Sequence, residues 1–170
     1  LVDEGGLPAN ALIITEIMKD PSAVNDADGE WFEVYNNTAV AMDLEGLVVT
    51  DAGSNSFTVG STLVVPAYDY AVFAKNGDPG VNGGLTPDHV WSGTFDIGNG
   101  EDEIILTFDG EELDRVEYDD PDWPDEPGQA MALILDLYDT VLNDDFASWC
   151  GALTAYGDGD FGSPGADNLS

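Results

Sequence analysis

From Ala11 onward the chain breaks into short apolar or alternating runs, each closed by Gly, Pro, Asn or Asp, and this punctuation constrains the fold more than any other feature. The runs are LIITEIM at 12–18, WFEVYN at 31–36, GLVVTD at 46–51, SFTV at 56–59, YAVFAK at 70–75, EIILTF at 103–108 and LDRVEY at 113–118. They are rich in Val, Ile, Thr, Tyr and Phe, which suit a pleated, half-buried surface. Alternation in 31–35 predicts Phe32 and Val34 on one sheet face, with Trp31, Glu33 and Tyr35 on the other. In 113–118 the apolar set Leu113, Val116 and Tyr118 breaks the alternation, as a β-bulge or an edge strand would. Asp109-Gly110, between two runs, is a strong hairpin signal. The best helical text is 130–142, where Leu133, Leu137 and Tyr138 would share a face, but it reads equally as a strand at 130–135 followed by a loop. Many short strands with Gly-rich turns predict an all-β sandwich or barrel, one domain over 11–168 preceded by a Gly- and Pro-containing linker at 1–10.

Charge sets the next limit. Three Lys or Arg stand against 35 Asp or Glu in 170 residues, a formal charge of −32. Such an imbalance often marks disorder, but 43% hydrophobic and 10% aromatic content is more than a disordered acidic tail carries. A folded protein of this length buries roughly two-thirds of its unfolded surface. The shortage of Lys and Arg argues against nucleic acid and against anionic membrane surfaces as partners, because both are recognised by neutralising phosphate. The acids gather at 26–30, 43–51, 100–103, 119–126 and 158–160, where turns and loops are expected to keep them in water. Cys150 is the single cysteine, which excludes an internal disulfide and a cysteine-built zinc site. No apolar run approaches the ~18 residues of a membrane-spanning helix. The start at Leu1 rather than Met leads to the expectation of a piece processed from a longer polypeptide.

The sharpest chemical motif is Asn25-Asp26-Ala27-Asp28-Gly29-Glu30, with Asp26, Asp28 and Glu30 as candidate calcium ligands. Calcium takes six to eight oxygens, and closely spaced carboxylates around a turn-forming Gly supply them. The motif is not an EF-hand: with Gly29 in sixth place, the first position is Val24 and the twelfth is Tyr35. The competing reading is a solvated acidic turn. Residues 119–127 carry five carboxylates among three prolines, an extended loop whose acids are expected to splay into water. Residues 157–162 (GDGDFG) hold one unit of a Gly-Asp pattern that builds calcium folds only when repeated. His89 and Cys150 satisfy the bare inventory for thiol catalysis, but Cys150 reads as a packing residue, and no G-x-S-x-G elbow is present. Exposed aromatics on a sandwich can bind glycans. Of Trp31, Trp91, Trp123 and Trp149, Trp123 between its prolines is expected to be the most exposed.

The order of these segments resembles the lamin tail domain, the immunoglobulin-like module found at the end of nuclear lamins and widely in bacterial exported proteins. Ile13-Ile14-Thr15-Glu16-Ile17-Met18 resembles the family's first strand, and Gly29-Glu30-Trp31-Phe32-Glu33-Val34-Tyr35-Asn36 its acidic-aromatic strand ending in Asn. Asp43-Leu44-Glu45-Gly46-Leu47-Val48-Val49-Thr50-Asp51 resembles the next, with Leu47 where an aromatic often follows the Gly. Phe57-Thr58-Val59 and Tyr70-Ala71-Val72-Phe73-Ala74 continue in order. Leu113-Asp114-Arg115-Val116-Glu117-Tyr118 then leads to a Trp loop at Asp122-Trp123-Pro124. The tail, Ser148-Trp149-Cys150 through Gly162-Ser163-Pro164-Gly165-Ala166-Asp167-Asn168, resembles the ending of bacterial members, so the likeness spans about 12–168. It implies an immunoglobulin-like β-sandwich without catalytic residues, an accessory or attachment module of a larger exported bacterial protein. The expected setting is extracellular or at the cell surface, and the expected partner is a protein or glycan. The alternatives are a calcium-stabilised adhesion module and a polysaccharide-binding domain.

Overall fold

The computed structural model describes residues 7–119 and 121–169. In sequence order the elements are β1 (Leu12–Met18), a one-turn helix α1 (Asp26–Gly29), β2 (Trp31–Asn36), β3 (Met42–Asp43), β4 (Val48–Thr50), β5 (Ser56–Thr58) and β6 (Val64–Val65). They continue with β7 (Tyr70–Ala74), β8 (His89–Val90), β9 (Asp102–Phe108), β10 (Glu111–Tyr118), β11 (Met131–Leu133) and β12 (Trp149–Gly151). A six-stranded sheet runs β12-β11-β1-β2-β7-β8 and a four-stranded sheet runs β10-β9-β4-β5, with β3 and β6 paired separately. The two large sheets enclose the main core: Ile14, Phe32, Val34 and Phe73 from one meet Val49, Phe57, Ile104, Leu106 and Val116 from the other. This is an immunoglobulin-like β-sandwich.

The expected alternation in β2 is present, but both of its faces are covered. Phe32 and Val34 enter the main core, and Trp31 enters a second cluster with Met18, Val72, Ala74, Leu85, Ala130, Ala132 and Ala152. Every residue of β1 is buried, as expected of a central strand covered on both sides. The segment that follows β12 supplies much of that outer cover. Its Tyr156 meets Trp31 edge to face at 5.7 Å, and the tyrosine hydroxyl accepts the indole N–H at 2.8 Å.

The β9–β10 hairpin closes through Asp109 (φ 51°) and Gly110 (φ 85°), two left-handed residues in succession as the turn requires. Both explanations for the broken alternation in 113–118 hold: the register shifts between Glu112 and Asp114, and β10 is an edge strand. Within 130–142 the strand-then-loop reading holds. Met131 and Leu133 of β11 face the main core while Ala130 and Ala132 face the second cluster, a period of two rather than 3.6. At the N-terminal end, Leu7 packs on the main core, and the Asn10 side chain bonds to Asp139 and to the Thr140 N–H. Docking therefore begins within the segment read as linker, and residues 1–6 of that segment lie outside the described residues.

Candidate functional site

The structure sends Asp26, Asp28 and Glu30 in different directions. Asp28 accepts the Asn25 and Asn76 amides at 3.0 and 2.8 Å, and Asp26 accepts the Asn99 amide at 3.2 Å. Glu30 turns inward, where it accepts Lys75 Nζ at 3.1 Å and the Ile97 N–H at 3.2 Å. Burial pushes its carboxyl up to about 7, against the opposing pull of these two donors. Gly29 answers a packing demand, since a Cβ there would lie 2.5 Å from Val24 and 2.8 Å from Pro21. Among the described residues, no group of three or more His, Cys, Asp or Glu stands close enough to hold a metal ion. In 157–162, Asp160 is buried and accepts the Ser22 and Ala23 N–H groups at 3.2 and 3.0 Å, which staples two loops together.

His89 and Cys150 sit on β8 and β12, the opposite edges of the six-stranded sheet, five strand spacings or about 24 Å apart. The imidazole packs between Phe57 and Phe73, and its burial lowers its pKa. The Cys150 thiol donates to the Ala132 carbonyl at 3.3 Å.

The expectation of an exposed Trp123 is wrong. It is only 8% exposed, 5.8 Å from the Trp149 ring and 6.5 Å from Tyr118. The large apolar area of an indole outweighs the acidic character of its loop, and Asp119, Asp122 and Asp125 around it stay at the surface. Trp31, Trp91 and Trp149 are buried as well, so no Trp offers a face for stacking a sugar ring.

Sequence reasoning missed three buried carboxylates. Asp114 accepts the Ile14 N–H at 2.7 Å, the Asn143 amide at 2.9 Å and the Arg115 N–H at 3.0 Å, joining the edge strand β10 to β1 of the other sheet. Burial pushes it up to about 8, against these donors. Glu16 and Glu33 face each other across β1 and β2. The available signal was a lone acid inside an otherwise apolar run, as in LIITEIM, which a strand covered on both faces must bury.

A large polar concavity lies along the end of the β9–β10 hairpin, a groove of about 710 Å³ lined by Glu101, Asp102, Glu103, Glu117, Asp119 and Asp144. Glu103 and Glu117 are paired in register, so like charges stand directly opposite each other. Arg115 at the groove is held by Glu112 through two bonds of 2.7 and 2.8 Å. Leu142 and Phe146, two residues either side of Asp144 in the sequence, are 44% and 48% exposed.

The sequence profile of the Lamin Tail Domain family matches residues 7–120, well over half of the chain. The match ends just after β10, so β11, β12 and the C-terminal segment lie beyond it. No curated protein matches the sequence.

Proposed function

The chain belongs to the lamin tail domain family, and from that premise we propose that it is a non-catalytic interaction module of a larger exported protein, binding a basic protein surface through the β9–β10 groove. The observation that carries this reading is the groove itself. Six carboxylates line it, and the exposed Leu142 and Phe146 flank one of them, Asp144, in the sequence. Complementary charge steers the encounter, and exposed apolar side chains supply area to bury. A protein partner is favoured over a glycan because all four Trp are turned into the core. In this reading the module works outside the cell or at its surface, in a saline medium that screens a charge of −32.

Titration calorimetry against a lysine-rich amphipathic peptide tests the proposal. The triple variant Glu103→Gln, Glu117→Gln, Asp119→Asn is expected to weaken binding about ten-fold or more, as loss of close charge pairs does. A control with Glu126→Gln, Asp136→Asn and Asp158→Asn removes the same charge elsewhere and should bind nearly as the parent does. Equal weakening in both variants would mean that general polyanion attraction, not the groove, holds the peptide.

A further inference from the structure

We propose that residues 163–168 form a strap that the Glu16–Glu33 pair holds against the sheet while the two carboxyls share a proton, and that releases when both are ionised.

Glu16 and Glu33 are directly opposite on β1 and β2, and both are 0% exposed. The strap crosses above them without entering any strand. Its Ser163 N–H donates to both oxygens of Glu16 at 3.0 and 3.1 Å, and its Gly165 N–H donates to Glu33 at 2.6 Å. Thr15 donates its hydroxyl to the other Glu33 oxygen at 2.8 Å. Asn168 closes the far end, its amide donating to the Thr15 and Leu133 carbonyls at 2.8 and 2.9 Å. Tyr70 adds a bond from its hydroxyl to Asp167 at 2.8 Å. Upstream, Phe161 exchanges backbone bonds with Gly128 and Ala130, so opening would stop near Gly162.

No side-chain cation can neutralise this pair. The protein has three Lys and Arg in all, and each is engaged elsewhere: Lys19 with Asp125, Lys75 with Glu30 and Asp96, Arg115 with Glu112. The titratable groups that face the pair are Asp88, Tyr138 and Tyr156, none of them positive. Among the described residues no cationic side chain is left for the pair, so a proton supplies the countercharge. With one proton between them, both groups still accept the strap's N–H donors, one as an anion and the other through the carbonyl oxygen of a neutral carboxyl. With none, two anions stand side by side in a dry site, and the relief is to admit water by lifting the strap. Burial pushes Glu16 up to about 8 and Glu33 well above its ordinary range, the Glu16 charge adding to the latter. Release bares two more carboxylates and the part of the β1–β2 face that lies under the strap.

Residue-resolved amide hydrogen exchange on the whole protein, corrected for intrinsic rates, tests this between about pH 6 and pH 9. Protection of Ser163 and Gly165 should fall about ten-fold or more across that range, since each ionisation coupled to opening contributes up to ten-fold per pH unit. Protection of Ile105 and Val116 in the β9–β10 ladder should fall less, following only the loss of global stability. In Glu33→Gln, which keeps an oxygen for the Gly165 N–H but cannot ionise, the strap should stay protected throughout. Flat protection in the parent protein overturns the proposal whatever the variant does. So does a parallel fall in the β9–β10 ladder, or an undiminished fall in Glu33→Gln.

Discussion

Lys75, the residue after β7, places its Nζ 3.1 Å from Oε2 of Glu30, the residue before β2, and the Glu30 side chain is almost wholly buried. One of only three Lys and Arg thus bridges an inward-turned acid and the exposed Asp96. Removing one partner of a buried pair strands the other's charge, which costs more than the pair contributes. Lys75→Met is expected to lower unfolding free energy by about 2–4 kcal/mol in urea titrations, and adding Glu30→Gln should restore most of it. A single variant as stable as the parent would show that Glu30 is already neutral without its lysine.

With Glu30 engaged, Asp26 and Asp28 retain only their asparagine partners. Calcium and magnesium at equal concentration are expected to raise the melting temperature by similar amounts, by screening a charge of −32, and chelator should reverse both. Molar sodium chloride should raise it as well. A rise unique to calcium that disappears in Asp26→Asn, Asp28→Asn would instead establish the α1 loop as a calcium site.

Stability should also depend on pH in an unusual sense for so acidic a protein. Glu16, Glu30, Glu33 and Asp114 all hold protons to higher pH when folded, because burial disfavours their charged forms. Below the ordinary carboxylate range their contribution is complete, and it is lost as pH rises through about 7 to about 8. The melting temperature is therefore expected to be higher near about pH 5 than near about pH 9 in buffers of equal ionic strength. Calorimetry showing the reverse would mean that these acids are ionised in the fold.

Asp114 separates a hydrogen-bonding role from a charged one. Asp114→Ala leaves the Ile14 N–H and the Asn143 amide without their buried acceptor and should cost about 2–4 kcal/mol. Asp114→Asn keeps an oxygen in place and should cost less than half as much, with a weaker pH dependence of the melting temperature. Equal losses from the two variants would assign the charge itself the structural role.

Trp123 seals the end of the core against Trp149 and Tyr118. Trp123→Ala is expected to cost about 3–5 kcal/mol, the range for a buried aromatic. In the parent protein, tryptophan fluorescence should resist acrylamide quenching, with no fraction quenched as readily as free indole.

Much of the fold is legible in the sequence because strands and turns are local events. The runs at 12–18 and 31–36 are β1 and β2 residue for residue, since β-branched and aromatic side chains bounded by turn formers leave the backbone little alternative. Asp109-Gly110 turns the backbone where it is expected to, because these two residue types tolerate positive φ. The Lamin Tail Domain resemblance rests on the same local patterns and holds over 7–120.

Residue order alone therefore accounts for the main strands, the hairpin turn, the sandwich class and the scale of the charge. Which of those charges stay in water is a matter of contacts between distant segments. Glu16 is buried by Ser163, 147 positions away, and Glu33 by Gly165, 132 positions away. Trp123 is drawn inward by Trp149 from beyond β11. Period-two alternation tells which side of a strand a residue faces, but not whether that side will be covered. Covering it depends on segments far along the sequence, and that cover turns an ordinary surface acid into a buried one that must keep its proton or open the fold.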